Sequence, residues 1–177
     1  MRIPLDKIGD EPFAWRQQLT VNADSLERPE LSKLGEILWQ GSVDREGEGF
    51  RLSGRLEYEQ TVTCGRCLEP VLLSVGSDVR LRLLKAVPAP VDSEPVDSEI
   101  ELTEDDLETL YVEGGELDTL QLVREQLQLN IPMRSLCSET CQGLCPTCGA
   151  NRNSESCGCD QDKVDPRWEA LKTLRDG

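Results

Sequence analysis

The chain has 177 residues, which suits one domain with at most a small appendage, and only 37% of them are hydrophobic. Its net charge of −15 is concentrated in residues 86–125, which hold 13 acidic residues and one basic residue, so the rest of the chain is nearly neutral. Because the N-terminus lacks an apolar signal-peptide core and no run of about 18 apolar residues occurs, we expect a cytoplasmic protein without a membrane span.

Alternating apolar and polar residues predict an antiparallel sheet in the first half of the chain. The predicted strands span residues 13–21, 34–43, 50–64 and 71–84. Residues 24–34 are ambiguous and can hold a short helix. The two longest strands form a hairpin whose tip is residues 64–70, and we expect Cys64 to lie opposite Val71.

The composition changes after the hairpin. Residues 86–99 are rich in proline, serine and acids and lack periodicity, which predicts a solvated, mobile segment. A helix is expected to begin after the N-cap Asp118 and to end at Pro132. Its predicted apolar face consists of Leu120, Val123, Leu127 and Ile131. A last helix is predicted to open at Asp165.

These elements predict an α+β protein in three parts. An antiparallel β domain occupies residues 1–85, an acidic linker occupies 86–116, and a helix with a cysteine-rich, zinc-binding segment occupies 117–177. The modest hydrophobic fraction allows only a small core, and structural metal would compensate for it.

Eight cysteines in a chain without histidine point to metal. They are Cys64, Cys67, Cys137, Cys141, Cys145, Cys148, Cys157 and Cys159. Two pairs have the C-x2-C spacing of zinc knuckles, and zinc takes four such ligands in a tetrahedron. Disulfides are the alternative for an even number of cysteines, but a reducing cytosol disfavours them. Catalytic zinc needs an open coordination position and usually a nearby base. The chain has no histidine, and eight sulfurs suffice to fill two sites completely, so structural zinc, one or two ions, is favoured.

The pairing of these cysteines has more than one solution. Cys145, Cys148, Cys157 and Cys159 form a compact local set, and the other four would then complete a second site. In the swapped alternative, Cys64 and Cys67 meet Cys145 and Cys148. A single zinc with four spare cysteines is also open. The first pair is remote in sequence, so the spacing leaves the choice open.

Arginines on the predicted hairpin suggest an anionic partner. With Cys64 opposite Val71, Arg55 faces Arg80, and like charges opposed across a strand pair are unfavourable unless a partner neutralises them. Phosphate is the usual partner of such a group, which makes RNA the candidate ligand. The candidate RNA-binding residues are Arg51, Arg55, Arg66, Arg80 and Arg82. The alternative is a solvated face in which Arg80 pairs with Glu57 or Asp78.

The cysteine-rich string from Leu136 to Asn153, the later Cys157-Gly158-Cys159 and Asp165 to Leu171 resemble the bacterial YceD-like family. These are the large ribosomal RNA subunit accumulation proteins. The upstream string Thr63 to Pro70 resembles that family's first cysteine pair, and the likeness spans about residues 35–175.

The resemblance implies a non-enzymatic, cytoplasmic factor needed for 23S ribosomal RNA to accumulate, without a small-molecule substrate. Its implied partner is that RNA or the large-subunit precursor particle. Because the chain is so acidic, docking on a ribosomal protein is an alternative route to the particle. A zinc-ribbon adaptor without RNA contact and a thiol redox sensor are the other hypotheses.

Overall fold

The structure is a computed structural model that describes residues 1–86 and 104–159. In these ranges the strands are β1 (Arg2–Pro4), β2 (Phe13–Leu19), β3 (Leu31–Leu34), β4 (Ile37–Glu46), β5 (Gly49–Thr63), β6 (Pro70–Lys85), β7 (Thr109–Val112) and β8 (Glu116–Asp118). The α-helices are α1 (Glu104–Leu107) and α2 (Thr119–Leu129). Short 3-10 turns occupy Leu5–Lys7, Ala23–Leu26 and Glu113–Gly115.

One six-stranded sheet dominates the described part of the chain. Its strand order is β2-β4-β5-β6-β7, and β3 pairs with β5 beyond the end of β4. All pairs are antiparallel except β6 with β7, which is parallel. The small sheet β1–β8 ties the start of the chain to the start of α2. The prediction of a mainly antiparallel sheet with a helix is therefore confirmed.

The predicted alternation places the hydrophobic core on one face of the sheet. Residues Phe50, Leu52, Leu56, Tyr58 and Val62 of β5 are buried, while the arginines and glutamates between them are exposed. Leu122, Val123 and Leu127 of α2 belong to the same core. Gln60, also buried, donates from its Nε2 atom to the carbonyl of Asn130 (3.2 Å) and fixes the end of α2 against β5.

The start of α2 is as predicted, and three of the four residues predicted for its apolar face, Val123, Leu127 and Ile131, are buried. Asp118 caps the helix by accepting hydrogen bonds from the N–H groups of Leu120 (3.0 Å) and Gln121 (3.3 Å). Leu120 was predicted to be in the core and is instead exposed, whereas Leu122 is buried. The helix meets the core through adjacent positions 122 and 123, which rotates the buried stripe away from Leu120.

The hairpin register also differs from the prediction. Val62, not Cys64, lies opposite Val71, so Arg55 faces Asp78 and Arg51 faces Arg82. The reason is that Cys64 belongs to the turn: its N–H donates to Glu69 (2.9 Å), and its carbonyl accepts from Leu68 (3.0 Å).

The predicted acidic linker over 86–116 needs correction in its second half. Residues 104–116 contain α1, β7 and the first residue of β8, and β7 adds an edge strand to the main sheet. Residues 87–103 and the predicted last helix from Asp165 lie outside the described residues. The division of the chain into three parts stays a prediction. Within the described ranges, no helix is long and apolar enough to cross a membrane.

Candidate metal centres

The tip of the β5–β6 hairpin presents the first cysteine pair. The turn from Cys64 to Glu69 closes with the two backbone hydrogen bonds given above, and Leu68 takes a positive φ of 62°. Cys64 and Cys67 are both buried although they lie at a loop tip, because residues 135–145 cover them. The hairpin therefore supplies two sulfurs in a fixed turn.

Four sulfurs meet at this tip, and we call them cluster 1: Cys64, Cys67, Cys137 and Cys141. All four Sγ atoms lie within 4.8 Å of one another. The Sγ atoms of Cys64 and Cys141 are 3.9 Å apart, and those of Cys67 and Cys137 are 3.6 Å apart. A zinc tetrahedron with Zn–S bonds of about 2.3 Å needs sulfurs about 3.8 Å apart. Disulfide sulfurs lie about 2.05 Å apart, so the arrangement fits a metal and not a disulfide.

The C-terminal segment is fastened to the tip by main-chain groups. Gly65 N–H donates to the carbonyl of Ser135 (2.8 Å), and Leu144 N–H donates to that of Arg66 (3.0 Å). The Arg66 guanidinium donates to the carbonyl of Cys141 (2.8 Å) and to that of Glu139 (3.3 Å). Arg66, a candidate RNA contact, thus holds the cysteine segment in place.

The second group, cluster 2, consists of Cys145, Cys148, Cys157 and Cys159, again within 4.8 Å. Cys145 N–H donates to Ala150 (2.8 Å), and Gly149, with a positive φ of 76°, donates back to Cys145 (2.9 Å). Only Cys145 of this cluster is buried, whereas Cys137 is the only exposed member of cluster 1. The distances between the sulfurs thus separate the eight cysteines into cluster 1 and the local set, cluster 2, and not into the swapped arrangement.

Backbone donors prepare one thiol of each cluster for metal. The N–H of Cys67, with those of Arg66 and Cys137, lowers the pKa of Cys64 to about 6. The N–H groups of Cys148 and Thr147 lower the pKa of Cys145 likewise to about 6. Metal binds the thiolate form, so these backbone donors favour the metal-binding form of both side chains.

Crowding of the sulfurs raises the pKa of another cysteine in each cluster. The neighbouring sulfur of Cys141 raises the pKa of Cys137 to about 12, and that of Cys148 raises the pKa of Cys159 to about 12. Four thiolates repel one another at this distance, so they cannot all ionise alone. A divalent cation at the centre would reverse this repulsion, which is the behaviour expected of a metal site.

Four of the five arginines, Arg51, Arg55, Arg80 and Arg82, lie on the outer face of the hairpin, but their charges are not equally free. Arg66 lies at the hairpin tip, and Arg55 donates to Glu57 (2.8 Å) and Asp78 (2.8 Å). Arg51 is paired with Glu46. Arg80 and Arg82 have no ion pair within the described ranges. The predicted pairing of Arg55 with Arg80 is therefore wrong, and its reason is the register.

Two residues of the candidate sites, Asn153 and Tyr111, were not predicted from the sequence. Asn153 donates from Nδ2 to the Sγ atom of Cys141 (3.4 Å), and its position among other polar residues gave no signal beyond the string in which it stands. Tyr111 lies on the same sheet face as Arg82 because Leu84 is its partner in the parallel pair, and it is 63% exposed. Its strand was hidden in the acidic block.

An arginine-lined cleft lies on this outer face of the sheet. Its volume is about 500 Å³, and Arg51 and Arg82 are directly opposed across β5 and β6 within it. It is lined by Glu46, Arg51, Ser53, Arg80, Leu81, Arg82 and Glu108. Three guanidinium groups and two carboxylates thus share one recess.

Residues 52–175 match the model of a protein family described as "Large ribosomal RNA subunit accumulation protein YceD". An uncharacterized protein of Mycobacterium tuberculosis is 32% identical over 129 residues, covering 73% of this chain and 57% of that protein.

Plant proteins are also similar. "Large ribosomal RNA subunit accumulation protein YCED homolog 1, chloroplastic" of Arabidopsis thaliana is 29% identical over 77% of this chain and 48% of its own length. The Zea mays protein of that name is 28% identical over 70% and 48%. The chain thus spans about half the length of these curated relatives. No solved structure matches.

Proposed function

Because this chain belongs to the YceD family of large ribosomal RNA subunit accumulation proteins, we propose that it supports the accumulation or processing of 23S ribosomal RNA during large-subunit biogenesis. The observation that carries this proposal is the family match over residues 52–175, which includes most of the long hairpin and both cysteine clusters. The proposed site of action is the cytoplasm, where precursor ribosomal particles of bacteria assemble. The partner is the RNA or a precursor particle.

The proposed role of the clusters is structural zinc binding, with one ion in each. The tetrahedral spacing of the sulfurs and the backbone donors to Cys64 and Cys145 support it. Four thiolates fill the coordination shell of zinc, which leaves no position for substrate or activated water. This complete ligand set supports a non-enzymatic role.

The proposed RNA contact is the outer face around Arg80 and Arg82. Both side chains are exposed and have no ion pair within the described ranges, so they are available to phosphate, whereas Arg51 opposite Arg82 is already paired with Glu46. Tyr111 stands one strand away on the same face and offers a ring for an unpaired base. Arg55 is a weaker candidate because Glu57 and Asp78 already neutralise it. Arg66 would act indirectly, by holding the cysteine segment in place.

Charge reversal tests this contact. We expect the double variant Arg80→Glu/Arg82→Glu to bind 23S fragments more weakly in filter binding. The slope of log affinity against log salt should become shallower by about 1.4, since each single-strand phosphate contact contributes about 0.7. Both side chains are exposed, so circular dichroism should show an intact fold.

The control is Lys7→Glu/Arg28→Glu, which changes the net charge equally outside the sheet strands. It should lower affinity only slightly. Equal losses in both double variants, or an unchanged slope for Arg80→Glu/Arg82→Glu, would contradict a contact at this face.

A second candidate is docking on a basic ribosomal protein without RNA contact. A groove of about 390 Å³ beside α2 includes the buried Leu117 and Leu122 in its lining. Its acidic lining residues are Glu113, Glu116, Asp118 and Glu125. This charge is complementary to lysine-rich and arginine-rich peptides. Two results together would favour this candidate. The Arg80→Glu/Arg82→Glu variant would still co-sediment with large-subunit precursors, and the protein would not bind RNA in filter binding.

A further inference from the structure

Asn153 belongs to one cysteine cluster by sequence and to the other by contact. It lies in the loop between Cys148 and Cys157 of cluster 2. Its side chain nevertheless reaches cluster 1: Nδ2 donates to the Sγ atom of Cys141 (3.4 Å), and Oδ1 accepts from the N–H of Gln142 (2.8 Å). A residue carried by one cluster thus acts on a ligand of the other.

The position of Asn153 depends on its own loop. Its N–H and its Nδ2 both donate to the Oδ1 atom of Asn151, at 3.1 and 2.9 Å, and Asn151 forms a β-bridge with Leu144. No side chain from residue 149 to 156 is buried. The loop therefore lacks a hydrophobic anchor. Main-chain hydrogen bonds such as that from Arg152 N–H to the carbonyl of Gly143 (2.9 Å) hold it in part, and closing its ends through Cys148 and Cys157 would fix it further.

The contact matters because four thiolates around one dication carry a net charge of −2. An N–H donor to one sulfur stabilises that excess charge and also orients the ligand. Donors of this kind to metal ligands typically change metal affinity about 10–100-fold. A metal ion in cluster 2 would hold this loop in place, and with it the Asn153 donor to Cys141.

We propose that the two clusters are coupled through Asn153, so that zinc in cluster 2 raises the zinc affinity of cluster 1. By linkage, zinc in cluster 1 raises the affinity of cluster 2 by the same factor. Asn153 is a positioning residue in this scheme, not a ligand. The inference rests on the proposed zinc binding of both clusters.

Zinc titrations of the full chain against a competing chelator test the coupling. Cys157→Ser/Cys159→Ser retains cluster 1 alone, and Cys64→Ser/Cys67→Ser retains cluster 2 alone. If the clusters were independent, the wild-type curve would equal the sum of these two curves. We expect the wild type to hold its zinc about tenfold or more tightly than that sum. A wild-type curve equal to the sum would overturn the coupling.

Asn153→Ala then tests the route, and it keeps all eight sulfurs. It should reduce the excess affinity of the wild type, and Asn153→Asp should reduce it further by placing a carboxylate beside a thiolate. Ser156→Ala, an exposed position in the same loop, is the matched control and should leave it unchanged. Excess affinity that persists in Asn153→Ala would overturn the role of Asn153. A wild type that binds no zinc would instead overturn the proposed zinc sites themselves.

Discussion

Two glycines on the inner face of the sheet make room for two tryptophans. A Cβ atom at Gly41 would lie 2.8 Å from the Trp15 ring and 2.8 Å from the carbonyl oxygen of Ser53. A Cβ atom at Gly54 would overlap the Trp39 indole, which is fully buried. The two indoles are in contact, with ring centroids 5.6 Å apart. These glycines are therefore required for packing, since neither has a positive φ.

Gly54→Ala should destabilise the protein by about 1–3 kcal/mol, because the added methyl group displaces Trp39 in a filled core. Urea unfolding with zinc present measures the change. Gly9→Ala is the control, since a Cβ atom there meets nothing within 4 Å. It should be neutral or stabilising by up to about 1 kcal/mol. If Gly54→Ala is as stable as Gly9→Ala, Trp39 accommodates the added methyl group and the packing argument fails.

Among the elements, α2 depends on a single capping side chain. The N–H of Gln121, together with that of Leu120, lowers the pKa of Asp118. Asp118→Ala should therefore cost about 1 kcal/mol of unfolding free energy at neutral pH. Asp118→Asn, which keeps an acceptor at the cap, should cost less.

The pH dependence separates the carboxylate from the cap. Because the folded pKa of Asp118 is depressed, its ionic contribution is present above the unfolded pKa of about 3.9 and is lost as the pH falls through the lower folded value. The stability gap between wild type and Asp118→Ala should narrow there. The difference in unfolding free energy between Asp118→Asn and Asp118→Ala should stay constant with pH. If this difference also narrows, the pH dependence does not come from the Asp118 carboxylate.

Sequence patterns predicted these elements better than their contacts. The alternation in β5 and β6 follows from one wet and one dry face, so it is visible in the residues alone. The register was wrong because it depends on Cys64 joining the turn, which is a matter of loop geometry. Leu120 was misplaced because several helical stripes have similar hydrophobicity. Strand β7 was missed because its apolar residues follow a long acidic run.

The cysteine site shows the same division. The C-x2-C spacing predicted knuckles because ligand geometry is local. The grouping of Cys64 and Cys67 with Cys137 and Cys141 needed the fold, since about 70 residues separate the pairs. Nothing local distinguishes Asn153 from the polar residues beside it.

At the scale of the whole molecule, the described residues have two cores. The large core lies between the sheet and α2, and the small one consists of Cys64, Cys67 and Cys141 with Val71 and Leu136. From residue 133 to 159, the buried residues other than glycine are Ser135, Cys141 and Cys145. This segment therefore has too little apolar surface to fold by itself. The zinc proposed for the two clusters would contribute about 10–16 kcal/mol, as structural zinc does in small modules.

If the clusters hold the proposed zinc, removing it should unfold the small core and spare the large one. After treatment with a strong chelator under reducing conditions, we expect fast amide hydrogen exchange in residues 64–69 and 133–159. Amides in β4, β5 and α2 should remain protected, because their core does not contain the cysteines. Restoring zinc should restore protection, which controls for irreversible damage. Loss of protection across the whole sheet would mean that the two cores fold as one unit, and unchanged exchange at the hairpin tip would mean that metal does not hold the cysteine segment.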